Sequence, residues 1–216
     1  MRTKKIIIYS PCNIVGNAIK HLCLNGVKHT TFSVDGFEIE TLRRIILAVN
    51  VSYIVLDVNP VEYSYELYCI RSTFPEIPVI IIQRDFYVLD KIIAQFFGGM
   101  WLIEYDAALA VLPSKNLMDF VSDDLFAYAN MTLPLYKESL IDSLKKWIDI
   151  RLAAFISSAR DREVLYCMVF NRLSVKEIAE KLKVSNQIIY LCRKRVINSI
   201  GYNPFRLYGL KASIDD

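Results

Sequence analysis

Five short runs rich in Ile and Val alternate with helical patterns across residues 4–104, and this order constrains the chain more than any other feature. The runs are Lys4–Tyr9, Thr30–Val34, Val51–Val58, Ile77–Ile82 and Met100–Ile103. Between them lie helical patterns at Asn13–Asn25, Glu38–Val49, Val61–Phe74 and Tyr87–Phe97, the first ended by Gly26 and the last by Gly98-Gly99. Parallel strands need crossover connections and helices supply them, so the alternation predicts a parallel sheet wrapped by helices. Ile6-Ile7-Ile8 and Val79-Ile80-Ile81-Ile82 are continuously apolar, which fits central strands buried on both faces. A chain of 216 residues that is 54% apolar can bury a sizeable core in one or two domains.

The stretch Ser158–Gly201 follows a different period. Ser174 precedes Val175-Lys176-Glu177, so its hydroxyl can cap a helix start while Glu177 reaches back in a capping box. Ile178, Ala179 and Leu182 form one apolar face, and Lys183-Val184 leaves room only for a turn. Ser185 can cap the next helix, whose buried seam is Ile189, Cys192, Val196 and Ile200. Tyr190, Leu191, Arg193, Lys194 and Arg195 fall off that seam and point outward. Asp161–Phe170 supplies a third helix, with Val164, Leu165 and Met168 as its core stripe. Residues alone allow a plain helical bundle with a solvated basic helix, but charge separates this region from the rest. Ile156–Lys211 holds eleven Lys/Arg against four Asp/Glu, a net +7, within a chain whose overall charge is only +3. Such an imbalance attracts a polyanion without carrying sequence information.

This segment resembles the LuxR/NarL-type helix-turn-helix domain over roughly a quarter of the chain. The family's opening Arg-Glu-Arg-Glu-Val-Leu is similar to Arg160-Asp161-Arg162-Glu163-Val164-Leu165, and its Ser-Asn-Lys-Glu-Ile-Ala to Ser174-Val175-Lys176-Glu177-Ile178-Ala179. Its Ser-x-x-Thr-Val-x-x-His run falls on Ser185, Ile188, Ile189 and Cys192, and its closing Lys-Leu-Gly on Ser199-Ile200-Gly201. Three departures stand out: Asn171 in place of Gly, which Asn tolerates in the left-handed region, Ile188 in place of Thr, and Cys192 in place of His. The resemblance implies base-facing positions at Tyr190, Leu191 and Lys194, with Lys176, Arg193 and Arg195 on phosphates. It implies for Pro204–Leu210 a short fourth helix that commonly mediates dimerisation, with a structural cap as the alternative.

A strand–helix alternation ahead of such a unit resembles a response-regulator receiver domain. Asp57, ending Tyr53-Ile54-Val55-Leu56-Asp57, falls where receivers carry the phosphoacceptor. The companion residues depart from the pattern. The acidic pair that would hold Mg²⁺ after the first strand is Ser10 and Pro11, and the Thr or Ser after the fourth strand is Gln83. The Lys after the fifth strand is Glu104, whose carboxylate would repel a phosphoaspartate. Were the fifth strand Ala108–Leu112 instead, Lys115 could take that role, at a longer separation from Gln83 than receivers show. The acid pair is absent either way, so the domain reads as a pseudo-receiver and Asp57 as a vestigial acceptor.

Residues 105–136 are harder to read. Leu117, Phe120, Val121 and Leu125 suggest a helix, and Pro134 breaks any that precedes it. Ser139–Ile150 reads as an amphipathic helix, either the receiver's last or an interdomain one; in the first case 105–136 contains an insertion. Five scattered cysteines without a CxxC argue for reduced thiols. No apolar stretch approaches the ~18 residues that span a bilayer, and Ser10-Pro11 interrupts the first apolar run too soon for a signal peptide. His21 and His29 lack ligand-spaced neighbours, and no glycine-rich phosphate loop or nucleophile elbow occurs, so neither a metal, a cofactor nor an enzyme is expected. Tyr63, Tyr65 and Tyr68 read as aromatic packing on the sheet, with a partner surface as the alternative.

The expected fold class is α/β: a doubly wound (βα)5 receiver-like domain at 1–150, a linker at 151–157, and a small all-α helix-turn-helix domain at 158–216. The architecture is similar to that of the Rcs auxiliary regulators of the RcsA/BglJ type. This resemblance implies a cytoplasmic transcription regulator with two partners, double-stranded DNA and a second subunit, but no membrane. The second subunit is either another copy of the chain or a response regulator such as RcsB. Two alternatives stay open: a phosphorylatable response regulator using Asp57, and an interaction antagonist that has lost DNA binding.

Overall fold

The five apolar runs pair as one parallel sheet in the order β2-β1-β3-β4-β5. The computed structural model describes residues 4–24, 29–33, 39–113 and 137–207, and the chain divides into two units, Met1–Leu135 and Tyr136–Asp216. The strands are β1 (Lys4–Tyr9), β2 (His29–Ser33), β3 (Tyr53–Leu56), β4 (Val79–Gln83) and β5 (Met100–Glu104). A helix follows each: α1 (Asn13–Leu24), α2 (Ile39–Val49), α3 (Ser64–Thr73), α4 (Val88–Phe97) and α5 (Tyr105–Val111).

Register aligns Ile7 with both Phe32 and Ile54, Val55 with Ile80, and Gln83 with Glu104. Because side chains alternate along a strand, Ile6, Ile8, Tyr53, Val55, Ile80 and Ile82 share one face. There they pack with Ile19 and Cys23 of α1, Ala108 of α5 and Leu112. Ile7, Ile54, Leu56, Val79 and Ile81 take the opposite face and are equally buried, so β1, β3 and β4 are central strands, as the continuous apolar runs predict for β1 and β4. Each fully buried Ile contributes roughly 1.5–3 kcal/mol of apolar transfer, which makes this face-to-face Ile/Val layer the unit's main stabilising element.

Several boundaries shift from expectation for local reasons. α3 starts at Ser64 rather than Val61 because Asn59 first forms a turn: its Oδ1 accepts from the Val61 and Glu62 amides, at 2.9 and 3.1 Å. α4 ends at Gly98 and Gly99 (φ 63° and 58°). At Gly99 the requirement is spatial as well, since a Cβ would lie 2.5 Å from Nη2 of the buried Arg71. Tyr63 packs edge-on against Tyr9 of the sheet (6.4 Å between centroids), whereas Tyr65 is exposed. The fifth strand is Met100–Glu104, not Ala108–Leu112, because Tyr105–Val111 is helical. The expected helix around Leu117–Leu125 and the break at Pro134 lie outside the described residues, as does Lys115.

The second unit is helical: α6 (Lys137–Leu152), α7 (Ala159–Val169), α8 (Val175–Leu182), α9 (Asn186–Ile200) and α10 (Pro204–Leu207). α7 lies at its centre, packed against the other four, and is buried over Val164–Val169 rather than along one stripe. α6 falls within this unit, where Leu140, Leu144, Ile148 and Leu152 are buried one turn apart. Lys145 and Asp149 of the same helix pair with Glu163 and Arg162 of α7. Within residues 151–157 Ile156 is buried, and Arg162 Nη1 donates to the Ile156 and Ser157 carbonyls at 2.8 and 2.9 Å.

Candidate functional site

α8 and α9 form the part of the second unit on which the sequence expectations converge. Ser174 caps α8 by accepting from the Glu177 amide, while Glu177 Oε2 accepts from the Ser174 amide and hydroxyl, both at 2.7 Å. The reciprocal bonds satisfy donors that a helix start leaves open, and they hold the Glu177 carboxyl below its ordinary value. Lys183 then adopts a left-handed conformation (φ 53°), which ends α8 and starts the turn into α9. Two details differ from expectation. Ser185 occupies the N-cap of α9 without a side-chain bond. The left-handed residue between α7 and α8 is Arg172 (φ 53°), not Asn171.

On α9 the inward seam is Ile189, Cys192 and Val196, all 0% exposed, with Ile200 half-buried. The outward residues divide by what holds them. Tyr190 and Leu191 are each 55% exposed, and Lys194 is exposed; among the described residues no ion pair engages Lys194 or the exposed Lys176 on α8. Arg193 lies over the rings of Phe205 and Tyr190, 5.0 and 5.7 Å from their centroids. Arg195 closes a two-pronged pair on Asp161 of α7: Nε donates to Oδ2 at 2.7 Å and Nη2 to Oδ1 at 2.6 Å. Nη2 also reaches Cys192 Sγ at 3.2 Å. Burial by itself would push Asp161 up, but the bonds from Arg195 and Cys192 outweigh it and leave the carboxyl below its ordinary value. The Cys192 thiol is pushed up to about 11 by burial and then by Asp161, so it stays protonated.

Sequence reasoning missed Asp161 as the clamp on Arg195, and it missed the amide side chains of Asn186 and Gln187, exposed in the first turn of α9.

In the first unit Asp57 follows β3 and is 6% exposed. Its amide donates to the Tyr9 carbonyl at 2.9 Å, which fixes the side chain over the sheet's C-terminal edge. Ser10 Oγ donates to Oδ2 and Tyr105 OH to Oδ1, each at 2.6 Å. Both carboxylate oxygens thus meet neutral hydroxyls. Burial first, and then the bond to Asp57, push the Tyr105 phenol well above its ordinary value, which keeps it a donor. Gln83 and the exposed Glu104 end the neighbouring strands in register. Among the described residues no cluster of three His, Cys, Asp or Glu could hold a metal ion. Tyr105 escaped the sequence reading although it directly follows Glu104.

No family model matches the chain, and no curated protein matches it by sequence. Solved structures do. Two structures of the Salmonella typhimurium response regulator RcsB, described for its conformational dynamism in DNA interaction, are similar over nearly the whole length. One has a TM-score of 0.52 at 17% identity, covering 95% of this chain and 98% of that one. The other has a TM-score of 0.51 at 16% identity, covering 96% and 98%. At that identity the likeness is one of fold: an α/β unit with a five-stranded parallel sheet followed by a helical unit, as in an RcsB-like regulator. Among the described residues no helix is long and apolar enough to cross a membrane.

Proposed function

We propose that this chain is a cytoplasmic, DNA-binding transcription regulator and not an enzyme. In this reading residues 158–216 act as a LuxR-type helix-turn-helix. The preceding α/β unit acts as a pseudo-receiver, controlled by dimerisation rather than phosphate, and its partner is a second copy or a response regulator related to RcsB. The observation that carries the proposal is the outward face of α9, where Tyr190, Leu191 and Lys194 are exposed on a helix without a single Asp or Glu. A helix of that chemistry suits a major groove bordered by phosphates. Two features of the α/β unit support control without phosphate: hydroxyls already occupy both Asp57 oxygens, and Glu104 stands where a cation would neutralise the phosphoryl group.

Salt-titrated binding of the full chain to duplex DNA tests the first part. Arg193→Ala is expected to lower the slope of log affinity against log salt by about one, the signature of one lost phosphate contact, and Lys194→Ala to weaken binding. A slope unchanged in both Lys194→Ala and Arg193→Ala overturns the assignment of α9. Incubation with a small phosphodonor and Mg²⁺, read by intact mass, tests the second part: no adduct is expected. A stoichiometric adduct that disappears in Asp57→Asn would sink the pseudo-receiver reading.

A further inference from the structure

Gln187, Tyr190, Leu191 and Lys194 are all exposed, and they sit at i, i+3, i+4 and i+7 of α9, one continuous stripe. Two arginines flank this stripe, and both are engaged within the unit. Arg195 has its fork closed on Asp161, at 2.7 and 2.6 Å. Arg193 is stacked on Phe205, itself only 1% exposed, and on Tyr190. Arginine reads guanine by a two-pronged bond from its fork to O6 and N7. A guanidinium closed on a buried carboxylate cannot make that bond without leaving the carboxylate unpaired, so guanine reading by Arg195 carries the cost of an uncompensated buried charge.

The side chains left free have different chemistry. The Gln187 amide pairs one donor with one acceptor, the pattern that matches N7 and N6 of adenine. Leu191 offers only apolar surface, and in the major groove the thymine 5-methyl is the group that complements it. Gln187 lies in the first turn of α9, the end that reaches base edges, and Leu191 lies one turn further along the same stripe.

We infer that α9 reads an A·T-rich half-site, with adenine facing Gln187 and thymine facing Leu191, while Arg193 and Arg195 are withheld from the bases. This deepens the proposed function and rests on it. The ligand class is a duplex rich in A·T steps, and specificity lies in one amide and one leucine rather than in the basic residues that give the unit its charge.

Selection of the full-length protein against a randomised duplex pool tests this, followed by anisotropy on the selected duplex. Each thymine is replaced in turn by deoxyuridine, which removes only the methyl. The pool is expected to converge on A·T-rich half-sites. One deoxyuridine should weaken the wild type by about fourfold, the worth of one buried methyl, and leave Leu191→Ala unaffected. Gln187→Ala should weaken binding about tenfold and relax the preference for adenine at a different position. Both residues are exposed, so neither substitution threatens folding. Convergence on G·C-rich sites, or an equal deoxyuridine effect in wild type and Leu191→Ala, overturns the inference and leaves DNA binding standing. Absence of any salt-dependent binding to any duplex overturns the proposed function and this inference with it.

Discussion

Two aspartates, one in each unit, are buried to a similar degree and satisfied in opposite ways. Asp57 is 6% exposed and receives two neutral hydroxyls; Asp161 is 2% exposed and receives a guanidinium at both oxygens. Hydroxyls fill lone pairs but leave the net charge uncompensated, whereas a guanidinium does both. The Asp57 arrangement ties together residues around one edge of a sheet already held by its Ile/Val core. The Asp161 arrangement is a strut between α7 and α9, the helix that carries the outward stripe. The contrast teaches where each unit is vulnerable: the first to losing packing, the second to losing one ion pair.

The largest effect should follow from breaking the strut on its exposed side. Arg195→Ala leaves the Asp161 carboxylate buried without a counter-charge, and the melting temperature of the second unit is expected to fall by about 10 °C or more. Asp161→Asn removes the charge itself and leaves Arg195, whose side chain is 53% exposed, to water, so its fall should be roughly half as large. Calorimetry of both variants checks the order. Equal losses would mean that Asp161 is no more dependent on a counter-charge than Asp57, and the comparison would fail.

Acid sharpens the same contrast, with a sign that can be worked out. Burial raises Asp161 and Glu163, but hydrogen bonds from Arg195 and Cys192 to the first, and from Lys145 to the second, leave both below their ordinary values. A carboxyl depressed in the folded state contributes stability that is present above its unfolded pKa, about 4, and is lost as pH falls through the folded value. The second unit should therefore melt progressively lower below about pH 4. In Arg195→Ala the strongest group opposing burial is gone while the bonds from Cys192 and Ser158 remain, so the Asp161 carboxyl is less depressed than in the wild type. The fall in melting temperature below about pH 4 should therefore be smaller in the variant than in the wild type.

Much of this was legible in the sequence, and the part that was not has one cause. Periodicity located β1 at Lys4–Tyr9 to the residue, because a continuous apolar run bounded by Ser10-Pro11 has no other use, and it located the capping box at Ser174 and Glu177. The seam Ile189, Cys192 and Val196 was equally readable, since burial follows the helical repeat. What composition hides is partnership across long sequence separations. Arg195 and Asp161 are 34 positions apart, and Tyr105 and Asp57 are 48 apart. A basic residue on an outward helix face reads the same whether it has no ion pair among the described residues, like Lys194, or is closed on a carboxylate. The +7 of the C-terminal region overstates for the same reason what it offers a polyanion, because Arg162, Lys181 and Arg195 each have an acidic partner within the unit. The pairs from α6 to Glu163 and Arg162 of α7 likewise leave no periodic trace.

The smallest expected effect lies at Asp57, and it tests the neutral half of the comparison. Tyr105→Phe removes one hydroxyl and keeps the ring that packs against the sheet cluster, so it should cost about 1 kcal/mol, the price of one unmade hydrogen bond to a charged, part-buried acceptor. Ser10 Oγ still serves the other oxygen, and a part-buried edge admits water to the first, which is why the loss stays small. A double-mutant cycle with Asp57→Asn isolates the bond. The two changes together should cost less than their sum by about 0.5–1 kcal/mol, because the second removes the charge that made the hydroxyl matter. Chemical denaturation followed by hydrogen exchange in β1, β3 and β5 reads that coupling in the first unit alone. Zero coupling would mean that Tyr105 is held by its ring and not by Asp57. The acceptor would then be satisfied through Ser10 and solvent, and the two aspartates would differ not in the kind of partner they keep but in whether they need one.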